Sequence, residues 1–138
     1  MTSLFQKKIT RPEGIEIKES PLHGMGVFAC KSFKPGAVIE TAPVILLTEA
    51  DKKLLQPTRL FGYYFLLNHK KTPAALGLGF SSLYNHSYKA NAVYTVSYKR
   101  SCLLIRACRA IQPGEEITLN YNGLPLDPAP VYFPPDTP

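Results

Sequence analysis

Proline and glycine interrupt this chain so often that no long element fits between them. Proline lacks the N–H that a helix interior or a central strand needs, and glycine relaxes the backbone into turns. Turn signals stand at Ser20-Pro21-Leu22-His23-Gly24-Met25-Gly26, at Phe33-Lys34-Pro35-Gly36 and at Gln112-Pro113-Gly114-Glu115. Six of the thirteen prolines crowd into the last fifteen residues, from Leu124 onward, where neither a regular helix nor a central strand can run. The runs left between these signals are short and rich in β-formers. They predict strands at 15–17, around Val27 and Phe28, at Val38–Leu47 with an interruption at Pro43, at 93–98, at Cys102–Ala107 and at 117–121. Residues 98–101 read as a hairpin turn. Thr48 followed by Asp51 predicts a helix N-cap with an acid in the first turn. A second helical window, 58–68, is so aromatic (Leu60, Phe61, Tyr63, Tyr64, Phe65) that strand fits it equally. Residues 74–92 show few regular patterns. The expectation is a mostly β fold over 1–138, with a polar lead-in at 1–12, a core at about 14–123, a short helical insertion at about 48–71 and a proline-rich tail at 124–138.

A length of 138 residues suits one domain, and an apolar fraction of 45% is enough to build its core. The formal charge of +6 favours an acidic partner, including chromatin or a bacterial nucleoid. The basic residues are scattered, with nothing longer than pairs such as Lys52-Lys53 and Lys99-Arg100, so no basic tail or Arg-rich helix is present. Nor do the tyrosines alternate with Lys or Arg along one strand, as a base-stacking platform requires. The cysteines, Cys30, Cys102 and Cys108, are odd in number and lack CxxC spacing. This argues against zinc and against a disulfide framework, and all three are expected to be structural. Reduced cysteines, no signal-peptide pattern and no window of about 20 apolar residues predict an intracellular protein, cytoplasmic or nuclear, without a membrane partner.

Three segments carry chemistry. Gly24-Met25-Gly26 lets a backbone approach a ligand closely, although neither GxGxxG nor a following Lys-Ser/Thr makes it a phosphate loop. Tyr84-Asn85-His86-Ser87, with Asn91, packs polar groups beside the apolar Leu78, Phe80 and Leu83. Such groups need partners if buried, and Asn with His can read a heterocycle edge. Gly114-Glu115-Glu116-Ile117-Thr118-Leu119-Asn120-Tyr121 runs from a tight turn into a strand ending on a tyrosine, whose hydroxyl can orient an amine. No GxSxG is present, and His23, His69 and His86 lack metal-ligand spacing.

In this order the three segments resemble the SET domain family of protein lysine methyltransferases, over about residues 14–123. His23-Gly24-Met25-Gly26-Val27-Phe28-Ala29, with Phe33-Lys34-Pro35-Gly36, is similar to the family's glycine motif and the turn after it. Asn85-His86-Ser87 with Asn91 is similar to its asparagine-histidine motif, and Gly114 to Tyr121 to its terminal motif. The chain departs from the pattern in three places. Ser82-Leu83 stand for the family's Arg-Phe, Ala90 for a proline, and Leu119-Asn120-Tyr121 for Tyr-Asp-Tyr. The cysteine-rich flanks of many histone methyltransferases are missing, so the chain looks most like the compact viral and bacterial SET proteins.

The resemblance implies a SET fold of small curved sheets with a knot-like C-terminal segment. It implies transfer of a methyl group from S-adenosylmethionine to a lysine of a protein substrate such as a histone or another basic protein. Met25 and Gly26 would offer backbone groups to the cofactor, Asn85 and His86 would hold it, and Tyr121 would be catalytic. Tyr64 or Tyr63 would line the lysine channel, no metal would be needed, and the tail would complete the channel. The resemblance leaves a homodimer open as an assembly. The rival reading is a SET fold without activity, serving as a binding or adaptor module.

Overall fold

The computed structural model describes residues 11–66 and 73–131. The chain-order strands are β1 (Ile15–Glu19), β2 (Met25–Ala29), β3 (Val38–Leu47), β4 (Tyr64–Phe65), β5 (Ala74–Gly77), β6 (Asn85–His86), β7 (Ala92–Ser97), β8 (Cys102–Ala107) and β9 (Glu116–Leu119). One α-helix, α1 (Glu49–Leu55), and one 3-10 turn, Ser81–Leu83, complete the elements among the described residues. The fold is mostly β, as the density of turn signals requires.

Three groups of strands share members. The β1–β2 hairpin passes through β2 to β9, with Val27 opposite Ile117. A second group runs β9-β7-β8-β3, where β7 and β8 form the expected antiparallel hairpin from Ala92↔Ala107 to Ser97↔Cys102. A third runs β3-β5-β4. Strand β3 belongs to two groups because it changes partner midway. Its first half pairs β8 as far as Pro43↔Cys102, and its second half pairs β5 from Val44↔Gly77. Pro43 therefore does not interrupt the strand, contrary to expectation. It sits where the partner changes, and its carbonyl accepts from the Leu78 N–H at 2.9 Å, on the side of β5.

Fully buried Val27, Val44, Tyr84, Leu103, Ile105, Ile111, Ile117 and Leu119 form the heart of the core. The period-2 alternation of β8 turns Leu103, Ile105 and Ala107 inward and leaves Leu104 and Arg106 only partly covered. Helix α1 begins on a full capping box: the Asp51 N–H donates to Thr48 Oγ1 at 3.2 Å, and the Thr48 N–H to Asp51 Oδ2 at 2.8 Å. None of its residues is buried, so the cap rather than core packing marks its start.

The helical insertion is smaller than expected. Residues 58–63 form successive turns that lead into the two-residue β4, whose Tyr64 pairs Leu76 and whose Phe65 pairs Ala75. Phe65 packs edge-on against Tyr94, 4.7 Å between centroids. Pairing to β5 and this aromatic contact bury one face at a time, which suits a strand rather than a helix. The end of the insertion, 67–71, lies outside the described residues, as do His69 and the lead-in to residue 10. The patternless 74–92 segment holds two short strands. The cysteines divide: Cys102 is buried in β8, whereas Cys30 and Cys108 are exposed, because both fall just past strand ends. Among the described residues no cluster of metal ligands exists, and no helix is long and apolar enough to cross a membrane.

Candidate functional site

The site forms where β6 lies parallel to β9, Asn85 opposite Thr118 and His86 opposite Leu119. This pairing carries the asparagine-histidine segment beside the strand that leads to Tyr121. The Ser87 N–H donates to the Leu119 carbonyl at 3.0 Å and extends the pairing by one residue.

Asn85 joins all three chemical segments. Its carboxamide nitrogen lies 3.0 Å from the His23 carbonyl, 3.2 Å from the Met25 carbonyl and 2.8 Å from Glu116 Oε1. The Ser20 hydroxyl approaches both oxygens of the same Glu116 carboxylate, at 2.9 and 2.8 Å. The glycine turn is thus tied at Ser20, His23 and Met25 to the segment starting at Glu116, with Asn85 between them. Gly26 is required there: a Cβ on it would collide with Glu116 Oε1 and lie 3.1 Å from Asn85 Nδ2. At Gly24 (φ 48°) a Cβ would meet nothing within 4 Å, so the turn has open space beside it. Met25 is 47% exposed at this rim.

Asn91 is buried and bridges β9 from the side. It donates to the Glu116 carbonyl at 2.8 Å and accepts from the Thr118 N–H at 2.9 Å. The polar cluster around Asn85 and Asn91 is therefore buried and hydrogen-bonded, as its density demanded.

His86 Nδ1 accepts the Tyr121 N–H at 3.1 Å, which places the proton of the neutral ring on Nε2. Burial lowers the His86 pKa and so favours that neutral form. The ring also lies 4.4 Å from Tyr88 and 5.2 Å from Tyr121, centroid to centroid.

Tyr121 does not end a strand. β9 stops at Leu119, and Tyr121 lies two residues beyond, in the turn that closes with the Gly123 N–H on the Asn120 carbonyl. Its backbone is held by His86 and its hydroxyl donates to the Tyr84 carbonyl at 2.8 Å. Burial, with Tyr63 and Glu116 nearby, pushes the phenol up to about 12, so it stays protonated at neutral pH. With its proton committed to Tyr84, the phenol oxygen presents acceptor lone pairs to anything beside it.

Of the two channel candidates, Tyr63 is the one close enough to act on Tyr121 electrostatically, and it is 51% exposed. Tyr64 lines an open groove of about 240 Å³ shared with Lys52, Lys53, Phe61 and Leu66. The tail leaves the site along two asparagines. Asn120 donates to the Asp127 carbonyl at 2.8 Å and Asn122 to the Ala129 carbonyl at 2.6 Å. Of the tail's apolar trio only Val131 is described; its N–H reaches the Tyr88 hydroxyl at 3.3 Å. Tyr132 and Phe133 lie outside the described residues.

Sequence reasoning missed three contributors: Ser20, the side chain of Glu116 as its partner, and the Tyr84 carbonyl. Ser20 and Glu116 are separated by 96 positions, and only the fold brings them together. The Tyr84 carbonyl is a backbone group, invisible to residue type.

Comparison with known proteins gives the family and the fold. A Schizosaccharomyces pombe protein named as a histone-lysine N-methyltransferase, H3 lysine-37 specific, is 28% identical over 109 residues, covering 78% of this chain and 73% of its own. The crystal structure of a candidate histone methyltransferase from Plasmodium falciparum superposes with a TM-score of 0.66 at 27% identity, over 82% of this chain and 95% of that one. A chain of a humanized mutant of the Chaetomium thermophilum Polycomb Repressive Complex 2 superposes with a TM-score of 0.66 at 21% identity, over 83% of this chain and 16% of that one, which shows the shared fold alone. The SET domain profile matches residues 24–122, from the glycine turn to the residue after Tyr121, and the chain belongs to the SET domain family of S-adenosylmethionine-dependent protein-lysine methyltransferases.

Proposed function

We propose that this protein transfers a methyl group from S-adenosylmethionine to a lysine side chain of a protein, with a histone as the favoured substrate class. The observation that carries the reading is the Tyr121 hydroxyl fixed on the Tyr84 carbonyl beside the joined Asn85, His86 and Met25 segments. The histone preference rests on the names of the relatives, together with a net charge of +6 that suits a chromatin setting.

The residues suit the cofactor. The carbonyls of His23 and Met25 and the Glu116 carboxylate gather at Asn85, and the Tyr84 carbonyl holds the Tyr121 phenol, an oxygen-rich surround that would favour a sulfonium. Open space beside Gly24 and the half-exposed Met25 leave room at the turn. Met25 and Gly26 would present backbone groups, and Asn85 and His86 would hold the glycine turn and the Tyr121 segment against the bound molecule. S-adenosylmethionine supplies the electrophilic methyl carbon.

The protein's own task is then alignment. A free lysine titrates at about 10.4, so the amine must give its proton to bulk water before it attacks. A protonated Tyr121 phenol does not remove that proton. It accepts one amine N–H, which turns the nitrogen lone pair away from the phenol and toward the methyl group. Tyr63 would flank the lysine stem, with Tyr64 further out along the groove by α1.

Calorimetry with S-adenosylhomocysteine and transfer of labelled methyl to purified core histones test the reading. Tyr121→Phe should lower kcat about 100-fold and leave S-adenosylhomocysteine affinity within twofold. A wild-type protein that neither binds S-adenosylhomocysteine nor labels any protein in histones or a cell lysate would refute the enzyme and favour the adaptor.

A further inference from the structure

Behind the site lies a buried carboxylate that the proposed reaction does not touch. Glu40, on β3, is 3% exposed, and among the described residues no cation forms a salt bridge with it. Its Oε2 accepts the Tyr84 hydroxyl at 2.8 Å and its Oε1 accepts the Phe80 N–H at 2.9 Å. The loop folds closely around it: a Cβ on Gly79 (φ 67°) would lie 2.8 Å from Oε1. Tyr84 is itself 2% exposed. Burying a carboxylate costs several kcal/mol, on the order of 2–7 even for neutral polar groups, and an apolar residue would fill the same space without that cost. Buried polar pairs that persist against such a cost often fix one conformation among several.

The conformation at stake is that of Tyr84. This residue joins the Ser81–Leu83 turn to β6 with φ −71° and ψ 123°, and ψ decides where its carbonyl points. That carbonyl is the acceptor of the Tyr121 hydroxyl. We propose that the Glu40–Tyr84 hydrogen bond is a positioning device for Tyr121. The buried carboxylate pins the far end of the Tyr84 side chain, and the pinned residue aims its carbonyl at the Tyr121 phenol. Glu40 and Tyr84 are thus positioning residues, and the kinetic part of the inference rests on the methyltransferase reading above. Burial raises the Glu40 pKa, and burial together with Glu40 raises that of Tyr84 well above its ordinary value, so the pair shares a dry setting in which a single hydrogen bond holds firmly.

The test compares Tyr84→Phe, which keeps the ring and the backbone but removes the bond, with Glu40→Gln, which keeps a hydrogen-bonding partner at the same place. Tyrosines carry a 13Cζ label, and the Tyr121 resonance is assigned by its loss in Tyr121→Phe. Tyr84→Phe should move the Tyr121 resonance and lower its titration point. It should also lower kcat for histone labelling about tenfold, while KM and S-adenosylhomocysteine affinity stay within twofold. Glu40→Gln should return the resonance and kcat to within about threefold of wild type. An unmoved Tyr121 resonance in folded Tyr84→Phe would overturn the inference. So would a kcat that falls only in proportion to the folded fraction at the assay temperature. The NMR arm needs no methyl transfer, so it decides the positioning role even if the wild-type protein proves inactive.

Discussion

Asn85→Asp is the sharpest perturbation of the site, because it replaces an amide nitrogen by an oxygen of the same size among three acceptors. The native nitrogen has two hydrogens for the His23 carbonyl, the Met25 carbonyl and Glu116 Oε1, at 3.0, 3.2 and 2.8 Å. At most two full hydrogen bonds form, one of them charge-assisted. Removing both in Asn85→Ala costs about 2.5–4 kcal/mol, from about 1 for the neutral bond and about 1.5–3 for the charged one. In Asn85→Asp two carboxylates would face each other at the Glu116 contact. At an effective dielectric of about 20 their repulsion at this range is about 6 kcal/mol, or a rise of about 4 pKa units. The folded variant escapes by keeping the introduced carboxyl protonated, so that it donates one bond to Glu116.

The consequence is a pH signature. The folded-state pKa of the introduced carboxyl is raised, whereas the unfolded chain releases the proton near about 3.9. Between these values the folded state binds more protons, so stability falls as pH rises. The penalty is about 1.5 kcal/mol at pH 5 and about 5 at pH 7.5, from about 1.36 kcal/mol per unit. The Asn85→Ala deficit is flat over the same range. With about 1 kcal/mol added for the neutral bond that a single carboxyl proton leaves unmade, the aspartate variant is about level with the alanine variant at pH 5 and clearly the less stable at pH 7.5. Urea unfolding of wild type and both variants at each pH measures this. An Asn85→Asp deficit that does not change with pH would show that Asn85 does not face Glu116.

Asn91→Ala strips the Glu116 carbonyl and the Thr118 N–H of their partner in one step, and should destabilise by about 2–4 kcal/mol, a fall in Tm of about 3–5 °C for each kcal/mol in a chain of this length. Truncation after Gly123 removes the carbonyls that hold buried Asn120 and partly buried Asn122; the Tm should fall by an amount that Asn120→Ala in the full chain reproduces in large part, and an unchanged Tm would show that the tail is not docked.

Local signals were legible in the sequence and non-local ones were not. The β7–β8 hairpin was readable because two β-rich runs flank a four-residue turn, and α1 because Thr48 and Asp51 cap it within three positions. The partner change at Pro43 was hidden, since the sequence shows the lost N–H but not the Leu78 N–H that uses its carbonyl. β5 and β6 were missed because such short strands are defined by their partners, β3 and β9, rather than by pattern. At the site, Asn85, His86 and Tyr121 stood out through the order of three motifs. The link from Ser20 to Glu116 and the aim of the Tyr84 carbonyl arise only when distant segments meet.

The structural and functional readings of the asparagine-histidine segment are one reading, because β9 pairs only briefly with each of its three strand neighbours. Its register covers two positions with β2, two with β6 and one with β7. A strand so short of ladder bonds would leave buried polar groups unmet, at about 1–3 kcal/mol each. Residues 85–91 meet them instead: Asn91 serves the Glu116 carbonyl and the Thr118 N–H, the Ser87 N–H serves the Leu119 carbonyl, and His86 serves the Tyr121 N–H. The same set of contacts fixes Tyr121 against His86 and the Tyr84 carbonyl. Polar density in this segment thus completes the pairing of β9 and holds in place the residue that bears the Tyr121 hydroxyl, the group on which the proposed reaction depends. A substitution there should shift stability and turnover together, whereas Tyr121→Phe, which removes only a hydroxyl at the edge of that frame, is the change able to separate the two.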